Sequence, residues 1–118
     1  MLRVITLNPN GVRSATAKGW WRWLGRQKAD VVCVQELKAQ DCDLTNLMRK
    51  PRNLIGHFHC AQKKGYSGVG VYTRAAPDRV TAGLGVEAID AEGRYLQVDL
   101  GNLSVISVYL ASGSSSPK

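Results

Sequence analysis

Val31-Val32-Cys33-Val34-Gln35-Glu36 is the stretch on which the fold turns: four apolar residues in a row, then an amide and a carboxylate. A strand with apolar side chains on both faces belongs inside a sheet and favours parallel neighbours. Glu36 then falls at the lip of the core, where the strand runs out. Upstream, Leu2 to Leu7 alternates and is rich in Val and Ile, the pattern of a first strand. It breaks at Asn8-Pro9-Asn10-Gly11, where Pro9 has no ladder donor and Asn10-Gly11 favours positive φ. Between the two strands, Ser14 or Thr16 is placed to cap a helix running to Gln27. Its apolar side is Ala17, Trp20, Trp21, Leu24 and Trp23, read as packing, and its basic side is Lys18, Arg22 and Arg26. Strand, helix and strand in this order predict a right-handed crossover unit. The carboxyl ends of its strands then lie side by side, where open α/β sheets bind ligands.

Downstream, Asp41 to Arg49 predicts a short helix with Leu44, Leu47 and Met48 facing inward. Five more strands are expected over Ile55–Gln62, Gly68–Arg74, Asp78–Leu84, Tyr95–Leu100 and Leu103–Leu110, separated by turn signals such as Ala76-Pro77-Asp78 and Gly101-Asn102. The class is α/β: a mixed sheet with one long helix and one short helix. Two helices cover one face of such a sheet. The other face has no visible partner, so a second layer is expected to be absent. Residues 1–118 read as a single domain, in which 111–118 is a Ser-rich loop or tail.

The chain has 118 residues, 44% of them hydrophobic and 21% charged, an ordinary globular balance. No apolar run is long enough to suggest a membrane span, and the N-terminus lacks a signal-peptide pattern, so a cytoplasmic protein with no membrane partner is expected. Cys33, Cys42 and Cys60 are odd in number with no C-x-x-C spacing, which favours reduced thiols. His57 and His59 share a strand face, but no further metal ligand lies near them in sequence. Sixteen Lys and Arg against nine acids give a net charge of +7. Such a balance favours a polyanionic partner, because neutralised phosphates release condensed counterions.

Glu36 facing the Asn8 amide suits a hard cation such as Mg²⁺, which takes one or two protein oxygens and leaves its other positions to water and phosphate. Lys38 and Arg13 are near enough in sequence to meet phosphate charge. The blander alternative makes Glu36 and Lys38 a surface ion pair and Asn8 a turn cap. Tyr109 closes a strand, Tyr66 follows a turn glycine and Arg94 sits at a strand edge, all places such residues occupy for structural reasons.

Five segments together resemble one family. Leu7-Asn8-Pro9-Asn10-Gly11-Val12-Arg13 and Asp30-Val31-Val32-Cys33-Val34-Gln35-Glu36-Leu37-Lys38 are similar to the first two motifs of the exonuclease III and AP endonuclease family, within the endonuclease/exonuclease/phosphatase superfamily. Lys64-Gly65-Tyr66-Ser67-Gly68-Val69, Glu92-Gly93-Arg94 and Ser107-Val108-Tyr109-Leu110-Ala111-Ser112-Gly113 resemble its later motifs, in the same order. The resemblance covers nearly the whole chain but only the N-terminal half of the family's domain, one half of a four-layer α/β sandwich. It implies Glu36 as metal ligand, with Asn8 helping to arrange the metal site, and Tyr109 as the active-site residue contacting the scissile phosphate. It also implies Asn10, Arg13, Lys38 and Tyr66 near the DNA. The cofactor would be Mg²⁺, with Mn²⁺ as a substitute, and the partner double-stranded DNA with abasic sites or 3′ ends.

Three residues depart from the family pattern: Leu7 for an aromatic, Pro9 for an aliphatic residue and Ala111 for proline. Pro9 is expected to disturb the backbone beside Asn8. The family's later G-D-F-N and S-D-H motifs do not occur in this sequence. The expectation is a Mg²⁺-dependent DNA-repair phosphodiesterase, exonuclease or abasic-site endonuclease, incomplete as this chain. The alternatives are a non-catalytic DNA-binding remnant and a chain that associates with itself or a separate second half through an uncovered sheet face.

Overall fold

The computed structural model describes residues 2–110. The expected tail at 111–118, with Ala111, lies outside the described residues. All seven expected strands form, with shorter ends: β1 Val4–Leu7, β2 Val31–Gln35, β3 Ile55–His59, β4 Val69–Thr73, β5 Arg79–Ala82, β6 Tyr95–Leu100 and β7 Leu103–Val108. They divide into two sheets, ordered β1-β2-β4-β3 and β5-β6-β7. The β1–β2 pair is parallel, with Val4 opposite Val31 and Leu7 opposite Val34. The other pairings in both sheets are antiparallel, so the first sheet is mixed.

The apolar run of β2 explains its central place. Val32 and Val34 point into a core with Val12, Trp21, Leu24, Met48 and Tyr72, on the helical side. Val31 and Cys33 point the other way, against Val69 and Val71 of β4 and Leu96 and Val98 of β6. Each of the four is at most 5% exposed, so both faces of the strand are covered. Burying one such valine contributes about 1.5–3 kcal/mol.

Here the structure corrects the expectation of an absent second layer. The missing cover for the first sheet is supplied by β5, β6 and β7, which fold over it as a second sheet. Alternation alone cannot say which strands share a sheet, and the strands expected in one mixed sheet divide between two. The chain thus holds helices, sheet and sheet, three layers of the α/β sandwich. The bare surface moves outward: Ile106 and Val108 on the far side of β7 are more than two-fifths exposed.

The single long helix is corrected too. It divides into α1 Val12–Ala17 and α2 Trp20–Gln27, because Gly19 takes a left-handed φ of 77°. Neither Ser14 nor Thr16 caps it. Thr16 instead donates to the Val12 carbonyl at 2.7 Å and accepts the Trp21 indole N–H at 2.9 Å, joining the two helices. Trp21 packs edge-on against Tyr72, as expected of a core residue, while Trp23 is exposed. The second predicted helix is a 3₁₀ turn at Asp41–Asp43 followed by α3 Asn46–Arg49, in which Leu44 and Met48 are buried but Leu47 is not. A further short helix, α4 Glu87–Asp90, was not anticipated. No helix is long and apolar enough to cross a membrane among the described residues.

Candidate active site

Because β1 and β2 run parallel, Asn8 and Glu36 leave the sheet at the same end. Asn8 Nδ2 donates to Glu36 Oε1 at 2.7 Å. On the other side Tyr109, one residue past β7, donates its hydroxyl to Glu36 Oε2 at 3.1 Å. The two sheets therefore converge on one carboxylate, held from both flanks. Pro9 does not pull Asn8 away from it.

Glu36 has a left-handed φ of 53°, uncommon for a residue with a β-carbon. Four backbone hydrogen bonds impose the bend. Glu36 and Leu37 carbonyls accept from Gly11 and Val12 at 2.9 Å, and Leu37 and Lys38 N–H groups donate to Gly68 and Ser67 at 3.0 and 2.8 Å. Strain of this kind costs roughly 1–3 kcal/mol and persists where the surroundings over-determine it. The effect is to turn the carboxylate off the end of β2 and in between Asn8 and Tyr109.

The other expected residues extend the array in one direction. Asn10 donates its N–H to Asn8 Oδ1 at 2.8 Å, and its own Oδ1 accepts from Lys38 Nζ at 2.7 Å. Arg13 donates to the Lys38 carbonyl at 2.8 Å and lies 3.9 Å from Asp43. Lys38 is therefore paired with Asn10, and the surface ion pair between Glu36 and Lys38 does not form. Tyr66 lies apart from this chain of contacts, reached through Arg94, whose Nη2 donates to its hydroxyl at 2.8 Å.

Arg94, read from sequence as a strand-edge charge, proves to be enclosed: its side chain is 13% exposed. Burial disfavours its charge, but hydrogen bonding and attraction to Glu92 and Tyr66 more than offset this and keep the guanidinium charged. Gln35 and Ser107 were not singled out either. Gln35 Nε2 donates to Ser107 Oγ at 3.1 Å and Ser107 donates to the Val34 carbonyl at 2.9 Å, directly beneath Glu36. The only signal for them was adjacency to Glu36 and Tyr109 in the motifs.

Burial first, then the neighbouring Glu36, pushes the Tyr109 phenol above its ordinary value. Its hydroxyl therefore stays protonated and is a donor at neutral pH. Each Glu36 oxygen accepts one hydrogen bond and keeps a lone pair free. A single half-buried carboxylate with spare acceptor capacity fits Mg²⁺, which needs few protein ligands. Asn8 presents its nitrogen to Glu36 while its oxygen is taken by Asn10, so here it orients the carboxylate. Among the described residues, no group of three or more His, Cys, Asp or Glu side chains is placed to hold a metal together. His57 and His59 instead lie near the Thr73 hydroxyl and the Tyr95 carbonyl.

Residues 6–117 match the model of the endonuclease/exonuclease/phosphatase family. The chain is 35% identical over 109 residues to an exodeoxyribonuclease of Bacillus subtilis, covering 92% of this chain and 42% of that protein. It is 27% identical over 114 residues to a DNA-(apurinic or apyrimidinic site) endonuclease of Dictyostelium discoideum, covering 97% of this chain and 31% of that one. The structure superposes on an AP endonuclease from Archaeoglobus fulgidus with a TM-score of 0.79 and 26% identity, over 92% of this chain and 41% of the other. The chain thus spans less than half the length of these relatives. Fold, motif order and sequence similarity agree: the chain belongs to the endonuclease/exonuclease/phosphatase family.

Proposed function

We propose that this chain carries the carboxylate half of the active site of a divalent-metal-dependent DNA phosphodiesterase, acting at abasic sites or 3′ ends. The observation that carries the reading is the clamping of Glu36 between Asn8 and Tyr109, at the joined ends of two sheets. Glu36 is the ligand for Mg²⁺, or Mn²⁺ in its place. When bound, that ion would stabilise charge developing on the phosphate and leaving group. Asn8 fixes the direction of the carboxylate, and Tyr109 is a protonated donor able to turn from Glu36 to a phosphate oxygen. Asn10, Arg13, Lys38 and Tyr66 form the flank along which the DNA strand lies, with Lys38 and Arg13 meeting backbone phosphates. Its three free thiols fit a cytoplasmic setting.

Among the described residues, Glu36 and Tyr109 have no hydrogen-bonded partner that could serve as a general base for water, so we expect the 118-residue chain to be a poor catalyst alone. The test is incision of an abasic duplex with Mg²⁺, using the chain by itself and then with the remaining portion of the Bacillus subtilis relative added in trans. Cleavage on mixing, lost in Glu36→Ala, supports the reading. Efficient Mg²⁺-dependent cleavage by the chain alone, abolished by Glu36→Ala, would overturn the claim of incompleteness. Metal-independent DNA binding that falls steeply with salt, without cleavage in either arm, would favour the binding-only alternative. Sedimentation at micromolar concentration separates self-association through the bare face of β7 from a monomer.

A further inference from the structure

Among the described residues, Arg94 is the one enclosed cation that touches both Tyr66 and Tyr109. Its Nη2 donates to the Tyr66 hydroxyl at 2.8 Å, and its Nη1 donates to the Tyr109 carbonyl at 3.2 Å. Its own carbonyl accepts the Tyr109 N–H at 3.0 Å, so the two residues are bonded in both directions. Its guanidinium carbon lies 5.2 Å from the centre of the Tyr109 ring and 5.7 Å from that of Tyr66. Glu92 holds Nε. Each contact restrains a different degree of freedom of Tyr109: the strand bonds its backbone, the guanidinium its ring. What remains free is the phenol's tip, which meets Glu36.

We propose that Arg94 is a positioning residue that sets the Tyr109 hydroxyl against Glu36 and couples Tyr66 to the same array. The inference rests on the nuclease reading above for its catalytic consequence, but the geometry is testable without it. Lysine cannot substitute, because an ammonium lacks the planar fork that serves Glu92, Tyr66 and the Tyr109 carbonyl together. A misplaced catalytic group costs on the order of 100-fold in rate when displaced by about 1 Å.

The experiment is tyrosine-ring NMR on the 118-residue chain. In Arg94→Lys and Arg94→Met, Tyr109 should lose its proximity to Glu36 while the buried Tyr72 ring keeps its signals. Retention of the Tyr109–Glu36 contact in both variants overturns the proposal. Should neither variant fold, Tyr66→Phe removes a single acceptor of Arg94, and its Tyr109 signals should shift; unchanged signals overturn the proposal equally. In the complemented incision assay, Arg94→Lys should lower kcat about 10- to 100-fold with KM little changed, and Tyr109→Phe added to it should cost little more. Fully additive losses would overturn the coupling. Absence of cleavage in the unmodified protein would instead count against the nuclease reading, leaving the NMR result to decide the placement of Tyr109.

Discussion

Ser107 donates its hydroxyl to the Val34 carbonyl at 2.9 Å, tying the two sheets together two residues before Tyr109 and two residues before Glu36. The offset matters. Both strands end one residue beyond this bond, and at the next residue of each the side chains meet again, as Tyr109 donates to Glu36 at 3.1 Å. A buried hydroxyl thus fixes the register of one sheet over the other. The Tyr109–Glu36 contact is read off the end of that register.

Replacing Ser107 with Ala should therefore destabilise the chain by about 1–3 kcal/mol, since a buried carbonyl and the Gln35 amide lose a partner. The measurement is a thermal melt. A midpoint fall of several degrees is expected for a domain of this size. A melt indistinguishable from the parent would mean the bond does not set the register.

The sequence made one half of this arrangement visible and hid the other. The four-residue apolar run of β2 demanded a central strand, and the parallel pairing of β1 with β2 follows from the crossover, so Asn8 meeting Glu36 was foreseeable. The Tyr109–Glu36 contact joins residues 73 positions apart in different sheets, and was accessible only through the family resemblance. Hydrophobic alternation gives each strand a buried face but not the identity of the layer it faces. That is why the second sheet was missed while all seven strands were found. Gly19 falls inside the one helix expected to run to Gln27, and only the structure shows its left-handed turn. Arg94 looked solvated because the two tyrosines that close around it lie 28 and 15 residues away.

Gly93 has a positive φ of 60°, and a β-carbon there would stand 2.6 Å from the backbone of His59, Cys60 and Ala61. The neighbouring atoms are main chain and cannot step aside. Gly93→Ala should cost more than about 2 kcal/mol, combining overpacking with left-handed strain. Denaturant unfolding would measure it. A midpoint within error of the parent would show that the β3 end and the Gly93 turn separate freely.

Thiol chemistry gives a prediction independent of function. Burial pushes the Cys33 thiol up to about 11. Burial, with Asp41 adding to it, does the same for Cys60, also to about 11. Cys42 is exposed. The thiolate is the reactive form, so at neutral pH an alkylating reagent should modify Cys42 and spare the other two. Cys33 and Cys60 should react only as the pH approaches their raised values or as the chain unfolds. Mass spectrometry of a timed reaction decides it; rapid labelling of Cys33 in the folded chain would contradict its place between the sheets.

Asn8 and Glu36 can be separated by their response to metal. Glu36 supplies the charge, whereas Asn8 supplies orientation through its Nδ2 donor. Mn²⁺ added to the chain should broaden NMR signals of Asn8, Asn10 and Tyr109, reporting binding even where affinity is low. Glu36→Gln should abolish the broadening while leaving the melt close to the parent, because the amide can still accept from Asn8. Asn8→Ala should weaken it by about 10-fold, the usual cost of losing a partner that orients a ligand. Asn8→Asp should reverse that loss by adding a second carboxylate, at the expense of stability in metal-free solution, where like charges face each other. Tighter binding with lower metal-free stability in the aspartate variant is the joint signature expected of a cation seated between the two strand ends. Broadening that persists in Glu36→Gln would move the metal away from this carboxylate.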